Sequence, residues 1–341
     1  MDETRGTALF CGLLALLLPW SAARTQEPAP EKGDVEWGRV EWLRRYDEGV
    51  KRAKATGRPI MLLFDEVPGC RGCRQYGVHT LSHPIVVDAA RELFVPVGIR
   101  NNAKGGHDRE ILERFGEKAW SYPVVRFLDT RGRDIIPRVE GRWRSPASLL
   151  GRMAAALEKA GRPVPAWLAL PARELNPRRP ARACFWMHCY WTGDRNLGGR
   201  KGVLATRIGM LAGREVVEVD YDAAQVGLGE LIELVESSCG ERVGLVARNA
   251  EQAARAGKAG MRVVRSDEPV DTTSRQKVHL ARALDLHLLP LTRIQAARLN
   301  AAVAGRRRQN IAPLLSPTQA ALQNRPVALP RKDPEACKRL A

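Results

Sequence analysis

The chain has 341 residues, 44% of them hydrophobic, which is enough for two domains that each bury a core. Lys and Arg number 55 against 38 acidic residues, so the formal net charge is +17. The basic residues are scattered apart from one dense cluster at Arg306–Arg308, and no basic stripe is interleaved with aromatic residues. This pattern argues against a nucleic-acid partner, and none is expected.

The N-terminus has the features of an export signal. An apolar run from Ala8 to Leu18 is followed by the small residues Ser21–Ala23, which a signal peptidase accepts. The run is shorter than the roughly 20 residues that span a bilayer. We therefore expect a signal peptide over residues 1–23, cleaved near Ala23, an exported (periplasmic or extracytoplasmic) protein and no stable membrane span. Removal of the signal takes Cys11 with it and leaves six cysteines of seven, too few for a disulfide framework in a chain this long.

Proline and polar residues divide the rest of the chain. Residues 24–34 are polar and contain proline, which predicts a disordered neck. Helix and strand patterns alternate over residues 35–161 and again over residues 182–315, which we call the first unit and the second unit. Five prolines in residues 162–181 predict a linker without a continuous helix or a central strand. Residues 316–341 mix proline with charge and are expected to form a loose tail.

The first unit contains a candidate redox dithiol. A buried strand is predicted at Ile60–Phe64, and Val67–Gly69 then turns the chain into Cys70. A helix that begins there would offer its free amide groups to the thiol and lower its pKa. Cys73 follows one turn later, close enough for a disulfide. A zinc site is the competing interpretation, but no second Cys-x-x-Cys or regular Cys/His pair follows, so no metal and no other cofactor is expected.

These features resemble the thioredoxin superfamily, and the match spans residues 35–161. The resemblance implies a thioredoxin-like fold in which Cys70 and Cys73 are the redox dithiol. It also implies a cis-proline beside them at Pro123, directly before a predicted strand at Val124–Leu128. Thioredoxin itself has Trp before its first cysteine, where this chain has Gly69, and the residues between the two cysteines also differ. The redox potential therefore does not follow from the resemblance.

The second unit opens with a cysteine directly before two aromatic rings, in the segment Ala183–Trp186. We expect a strand to end and a helix to begin at Cys184, with Phe185 and Trp186 forming an apolar pocket. Farther along, the segment Glu215–Tyr221 alternates with period two, which predicts a strand with its first residue, Glu215, on the apolar face. Burial there would raise the pKa of Glu215 and suit it to general acid catalysis. The alternative is that Glu215 lies at the exposed tip of the strand.

Four segments of the second unit, in order, resemble the A-type peptide-methionine sulfoxide reductases: residues 183–186, 202–209, 215–222 and 230–233. The match covers about residues 182–291. It implies an α/β sandwich, so that the whole chain combines α/β and α+β architecture. It also implies roles: Cys184 attacks the sulfoxide sulfur, Glu215 protonates the departing oxygen, and Phe185 with Trp186 holds the methyl group.

The chain departs from this family in its pocket and leaves the resolving thiol open. The two pocket tyrosines of the family fall at Met210 and Val243, which cannot donate a hydrogen bond to the sulfoxide oxygen. A sulfenic acid on the nucleophile needs a second thiol for its reduction. Cys337 is a candidate resolving cysteine by analogy with the family, and Cys239 and Cys189 are the other candidates. Both of these also fit core cysteines, since cysteine is among the most buried residue types.

The sequence therefore predicts an exported two-domain thiol enzyme that reduces the S-epimer of methionine sulfoxide, free or in oxidised proteins. Such an enzyme repairs proteins under oxidative stress. Its thiol reductant would be its own dithiol domain or a separate thioredoxin. The alternative is a thioredoxin-like thiol–disulfide carrier with a non-catalytic second domain that binds Met-containing peptides.

Overall fold

A computed structural model describes residues 35–119, 123–138, 145–240, 242–283, 285–286, 288–304 and 310–324. The expected signal peptide (residues 1–23), the expected neck (residues 24–34) and Cys337 lie outside these residues. In the part of the chain that is described, no helix is long and apolar enough to cross a membrane.

The first unit is built on a sheet with the strand order β2–β1–β3, in which β2 is parallel and β3 antiparallel to β1. The strands are β1 (Ile60–Asp65), β2 (Val95–Arg100) and β3 (Val124–Leu128). The helices are α1 (Tyr46–Thr56), α2 (Arg71–Tyr76), α3 (Pro84–Leu93), α4 (Gly106–Arg114) and α5 (Pro146–Lys159). A short 3-10 turn covers Val35–Trp37, and a π-helical turn at Gly77–Leu81 continues α2.

Strand β1 is buried along its whole length because helices cover both faces of this sheet. Met61 and Leu63 pack in one apolar cluster with residues of α3 and α5. Ile60, Leu62 and Phe64 pack in another with residues of α1 and α4. Successive side chains of a strand point to opposite faces, so a continuous apolar run is required where both faces are covered. The predicted strand is present, and it places the dithiol directly after its carboxyl end.

The second unit is built on a sheet with the strand order β8–β7–β4–β6–β5–β9. The strands are β4 (Pro180–Met187), β5 (Val203–Leu211), β6 (Arg214–Asp222), β7 (Val243–Ala247), β8 (Arg262–Arg265) and β9 (Asp271–Thr272). The remaining helices are α6 (Ala166–Leu175), α7 (Tyr190–Gly199), α8 (Leu228–Cys239), α9 (Ala250–Lys258), α10 (Val278–Ala281), α11 (Arg293–Val303) and α12 (Pro317–Gln323), with a 3-10 turn at Ala312–Leu314.

The two faces of this second sheet have different surroundings. On the face that we call the helical face, Phe185, Val217 and Leu245 pack with residues of α7 and α8. On the face that we call the second face, Cys184 and Val216 belong to a smaller apolar cluster. Strand β4 lies between β6 and β7 and is antiparallel to both. Its side chains alternate between the two faces because successive residues of a strand point to opposite sides of the sheet.

The expectation that residues 162–181 contain no continuous helix is wrong. They contain α6, with Pro171 inside it, and β4 begins at Pro180. A proline inside a helix costs about 3 kcal/mol. Trp167 and Leu168 of α6 are buried in the cluster that also contains residues of α3 and α5, and this packing offsets the cost. Pro180 is tolerated because it is the first residue of its strand.

The expectation of a loose tail from residue 316 is wrong for the described part, which ends at residue 324. The side chain of Ser316 accepts a hydrogen bond from the N–H of Gln319 and caps α12. Thr318 then donates its hydroxyl to Asp88 Oδ1 (2.6 Å) and its N–H to Asp88 Oδ2 (3.1 Å). Asp88 is fully buried in α3 of the first unit. This pairing fixes α12 against the first unit.

Candidate functional site

The dithiol is positioned by the loop between β1 and α2. Cys70 is the N-cap residue of α2, as the sequence predicts, and the Val67–Pro68 peptide bond is cis. Gly69 donates its N–H to Glu36 Oε1 at 2.9 Å. A Cβ atom at position 69 would collide with the carbonyl oxygen of Glu66. Glycine is therefore needed where thioredoxin has tryptophan, because the backbone folds back on itself there.

The two thiols are close and differ in exposure. Their Sγ atoms are 3.2 Å apart and both cysteines are free. Cys70 is exposed, whereas Cys73 is 1% exposed. A small movement of the side chains would close the disulfide. A partner can therefore reach the Cys70 thiol, whereas the buried Cys73 thiol is placed to react with Cys70.

The electrostatics of the two thiols are also unequal. The backbone N–H of Cys73, then its thiol and the N–H of Gly72, stabilise the Cys70 thiolate and lower the pKa of Cys70. Burial, followed by the negative charge of Asp65, raises the pKa of Cys73 far above its usual value. A low pKa on the exposed thiol and a high pKa on the buried one assign nucleophilic attack to Cys70.

A buried carboxyl group accompanies the dithiol. Asp65, at the end of β1, is 0% exposed, and burial raises its pKa to about 7. Its Oδ1 accepts the N–H of Glu66 at 2.9 Å, while its Oδ2 is buried without a hydrogen-bond partner. A group that titrates near neutral pH can take a proton from a neighbouring thiol. Asp65 is thus a candidate base for Cys73.

Glu66 completes a cluster that the sequence analysis did not identify. The Cys73 thiol points to Glu66 Oε2 at 3.9 Å. Donor atoms of Glu66, Cys70 and Cys73 all lie within 4.8 Å of one another. The sequence could have indicated Glu66 as a site residue, since it follows the buried strand and precedes Cys70 by four residues.

Pro123 directly precedes β3 and is half-buried. The 122–123 peptide bond lies outside the described residues, and the expected cis geometry of that bond lies outside them too.

Cys184 does not begin a helix, so that expectation is wrong. It lies inside β4, opposite Glu218 of β6, and is 1% exposed. Burial raises its pKa to about 11, which disfavours the thiolate. Phe185 packs on the helical face, whereas Cys184 and Trp186 lie on the second face. Phe185 and Trp186 therefore cannot form one pocket beside Cys184.

Glu215 lies on the opposite face of the sheet from Cys184. The predicted period-two pattern is present, with Val217 and Val219 buried on the helical face. Glu215 shares their parity in β6 and is half-buried, neither enclosed nor at an exposed tip. Its Oε2 accepts the backbone N–H of Tyr190 at 2.8 Å. The structure therefore brings Glu215 to the start of α7 and not to Cys184.

Cys189 occupies the position that was expected for Cys184. It is the N-cap residue of α7, a ten-residue helix, and it is half-buried. Tyr190 and Trp191 follow it, with ring centroids 5.5 Å apart. The pattern of cysteine, aromatic residue and tryptophan thus occurs twice in the sequence, five residues apart. At the second copy a thiol caps the helix, two half-buried aromatic rings follow it, and the Glu215 carboxylate accepts the N–H of the residue after the thiol.

Helix α7 is held in place by a buried polar network around Asp194. Lys277 donates to Asp194 Oδ1 at 2.8 Å, and Asn300 donates to Asp194 Oδ2 at 3.0 Å. The hydroxyl of Thr206 in β5 donates to the same Oδ1 at 2.5 Å. Asp194 is 1% exposed, so its charge requires these partners. The network ties α7 to β5, to α11 and to the segment that contains Lys277.

Comparisons with known proteins bear on the first unit. A family model described as thioredoxin-like matches residues 41–130. Residues 41–130 form a thioredoxin-like domain. Over 112 residues, the chain is 31% identical to the thiol:disulfide interchange protein DsbD of Ralstonia nicotianae. That alignment covers 33% of this chain and 18% of the relative, so the chain spans less than a fifth of the relative's length.

Two solved structures are also similar in part. DsbH oxidoreductase is 18% identical with a TM-score of 0.30, covering 40% of this chain and 95% of its own. Methionine sulfoxide reductase A of Corynebacterium diphtheriae is 18% identical with a TM-score of 0.21, covering 30% of this chain and 73% of its own. Structural likenesses this weak indicate nothing about the mechanism of this chain. The thioredoxin-like domain supports thiol–disulfide chemistry in the first unit.

The other described cysteines of the second unit, Cys184 and Cys239, are not gathered around Cys189. Cys239, the last residue of α8, lies 3.9 Å from Asn196 Nδ2, about two turns along α7 from Cys189. Cys184 lies on the second face of the sheet, away from the helices. Cys337 is outside the described residues. Within the described part of the second unit, neither of the other two thiols is in hydrogen-bond contact with Cys189.

Proposed function

We propose that the chain is a thiol–disulfide oxidoreductase in which Cys70 attacks and Cys73 resolves. The observation that carries the proposal is the exposed, low-pKa thiol of Cys70 at 3.2 Å from the buried thiol of Cys73. The Cys70 thiolate attacks one sulfur of a partner disulfide, and the other partner sulfur leaves as a thiolate that takes a proton from solvent. Cys73, deprotonated by Asp65, then attacks Cys70 Sγ and releases the partner's second thiol. Two electrons pass from the dithiol to the partner.

Trapping of the mixed disulfide tests this proposal. Cys73→Ser should accumulate a covalent adduct between Cys70 and a peptide disulfide, because the resolving step is removed. With only Cys73 left of the pair, Cys70→Ser should form no adduct at the dithiol, because the Cys73 thiol is buried and burial raises its pKa. Mass spectrometry of the two variants after incubation with the peptide gives the answer. Equal adduct formation in both variants would contradict the assignment of roles.

We infer a second activity, reduction of methionine sulfoxide, at Cys189 and not at Cys184. It is favoured by the hydrogen bond between Glu215 Oε2 and the N–H of Tyr190, which places the carboxyl group at the amino end of α7, next to Cys189. The Cys189 thiolate would attack the sulfoxide sulfur while a proton from Glu215 reaches the oxygen. The thioether leaves, and the oxygen stays on Cys189 as a sulfenic acid.

A matched pair of serine variants tests the second activity. With dithiothreitol as reductant, Cys189→Ser should abolish reduction of the S-epimer of methionine sulfoxide, while Cys184→Ser should retain it. The reverse result would restore the assignment to Cys184. No turnover by the unmodified chain would favour the alternative, a thiol–disulfide carrier whose second unit only binds Met-containing peptides.

Regeneration of Cys189 belongs to the same proposal. The sulfenic acid needs two electrons and two protons from thiols to return to a thiol and water. Three sources of these electrons are to be distinguished: the chain's own Cys70–Cys73 dithiol, a separate thioredoxin and Cys337.

An exported location is part of the proposal as well, and it is supported by the apolar run Ala8–Leu18 followed by small residues. The mass of the mature protein should then correspond to a chain that begins at Arg24.

A further inference from the structure

The environment of the reduced dithiol has the composition of a zinc site. Three donor groups of different residues converge there: the Cys70 and Cys73 thiols and the Glu66 carboxylate, all within 4.8 Å of one another. The Sγ atoms are 3.2 Å apart, and Cys73 Sγ lies 3.9 Å from Glu66 Oε2. In a tetrahedral site with Zn–S near 2.3 Å and Zn–O near 2.1 Å, neighbouring ligand atoms are about 3.5–3.8 Å apart. The three donors are therefore close to the spacing that one zinc ion requires.

Buried carboxyl groups behind the dithiol add negative charge. Glu36 is 2% exposed and its Oε2 has no hydrogen-bond partner, and the same is true of Oδ2 of the fully buried Asp65. An unpaired carboxylate oxygen in the interior is unfavourable unless a cation compensates it. A cation bound between Glu66 and the two sulfur atoms would stabilise this cluster without contacting Glu36 or Asp65.

We propose that the reduced dithiol and Glu66 bind one zinc ion, and that oxidation of the dithiol releases it. Thiolates select zinc over magnesium and calcium, which prefer oxygen ligands. Binding displaces the two thiol protons to solvent, because a coordinating thiol is deprotonated. Cys70 is exposed, so the fourth position of the ion faces solvent and takes water, the arrangement of an open three-ligand site. No regular metal-ligand spacing is visible in the sequence, because Glu66 joins the site through the turn at Gly69.

The proposed site makes zinc binding and thiol–disulfide exchange mutually exclusive. A Cys70 sulfur that is bonded to zinc is not free to attack a disulfide, so zinc inhibits the exchange activity. Conversely, formation of the Cys70–Cys73 bond removes two electrons and both sulfur ligands, and Glu66 alone does not retain the ion. With diamide as the oxidant, the two electrons and two protons from solvent convert the diamide to its hydrazine.

A competition titration of the reduced, full-length chain with Zn²⁺ against a chromophoric chelator tests the proposal. The expected result is one zinc equivalent that Cys70→Ser and Cys73→Ser both lose, and that Glu66→Gln holds at least tenfold more weakly. Two variants are matched controls: Glu48→Gln, at an exposed position of α1, and Cys239→Ser, in the second unit. Both should bind zinc as the unmodified chain does. Diamide should release the ion.

Three outcomes would overturn the proposal: no zinc equivalent that depends on both cysteines, equal affinity in Glu66→Gln, or retention of the ion after diamide treatment. Exchange activity is measured separately in the presence of a chelator. Exchange without zinc binding overturns only the zinc site, whereas zinc binding without exchange overturns only the proposed function.

Discussion

Glu215 Oε2 accepts a hydrogen bond of 2.8 Å from the backbone N–H of Tyr190, and this bond joins β6 to the first turn of the helix that Cys189 caps. The carboxyl group is on the helical face, while Cys184, the first cysteine of the same segment, faces the other way. The antiparallel register of β4 and β6 places the two side chains on opposite faces. Cys184 is paired with Glu218, and Glu215 is three residues from Glu218, an odd number that reverses the face. The Glu215 carboxyl group therefore lies at the helix start that Cys189 caps and on the other face of the sheet from Cys184.

Replacement of Glu215 tests its role as the acid. We expect Glu215→Gln to lower kcat for methionine sulfoxide about 100-fold, because general acid catalysis contributes on the order of 10²–10⁴. Glu218→Gln is the matched control, since Glu218 is in the same strand on the face of Cys184 and pairs with Arg207. Steady-state turnover with dithiothreitol measures both variants. An equal loss in the two would show that the effect is structural.

Asp65 should reduce stability at neutral pH while supporting exchange. Its pKa is about 7 in the folded chain and about 3.9 in an unfolded one, so the folded state holds the proton more tightly. Stability from this group is present below about pH 4 and is lost as the pH rises through about 7. We expect the free energy of unfolding of Asp65→Asn, relative to the unmodified chain, to increase between pH 5 and pH 8 by about 2.6 kcal/mol.

Urea denaturation at several pH values measures this effect, and Asp271→Asn, at an exposed position in β9, is the control. The same Asp65→Asn variant should resolve the mixed disulfide more slowly above pH 7, because the base for Cys73 is gone. A pH-independent difference in stability would contradict the assigned pKa.

Gly69→Ala should disturb the dithiol loop. The added Cβ would collide with the Glu66 carbonyl and come within 2.8 Å of Cys73 Cβ. Overpacking of this kind costs about 1–3 kcal/mol. We expect a lower urea midpoint and slower alkylation of Cys70, whose pKa depends on the first turn of α2. Gly105→Ala, where the new Cβ meets nothing within 4 Å, should leave the urea midpoint unchanged.

The Lys277–Asp194 pair should be strongly coupled. Lys277→Ala leaves a buried carboxylate without its cation, which costs about 3–5 kcal/mol. Asp194→Ala removes that carboxylate, so the double variant should be much less destabilised than the sum of the two single variants. Chemical denaturation of the four proteins of the cycle measures the coupling. Additive effects would mean that the ion pair does not secure α7.

The dithiol should be the electron donor of Cys189 if the two sites cooperate. Fusion in one chain raises the effective concentration of the dithiol to about the millimolar range. After one equivalent of methionine sulfoxide, without added thiol, peptide mapping should find a Cys70–Cys73 disulfide in the unmodified chain and none in Cys189→Ser. A disulfide between Cys189 and Cys337 instead, with Cys70 and Cys73 still free, would identify the tail as the resolving segment.

Local sequence was sufficient for the first site. A continuous apolar run specifies β1, since a strand covered on both faces requires it, and the turn at Gly69 then leads to Cys70 at a helix start. The lowered pKa of Cys70 follows from that helix start, whereas the raised pKa of Cys73 was not readable from the local sequence. It depends on the burial of Cys73 and on Asp65, whose own pKa is raised mainly by burial.

The second site shows the limit of a motif. The sequence contains two copies of the cysteine–aromatic–tryptophan pattern, and nothing within either copy decides which begins the helix. Pairing of β4 with β6 and β7 extends the strand to Met187, which buries Cys184 and moves the helix start to Tyr190. Helix α6, which contains Pro171, also depends on tertiary contacts and not on its local sequence. Packing of Trp167 and Leu168 outweighs the local cost of the proline.

The sequence by itself determined the mixed helix and strand content, the strands at Ile60–Phe64, Val124–Leu128 and Glu215–Tyr221, and the dithiol, because period, composition and turn residues act over a few neighbouring positions. The tertiary structure decided which thiols are reachable, which carboxyl groups are buried and which residues meet across strands. A shift of one residue along a strand moves a side chain to the opposite face of a sheet. Long-range pairing therefore selects Cys189 over Cys184 as the neighbour of Glu215, although the two cysteines are only five residues apart.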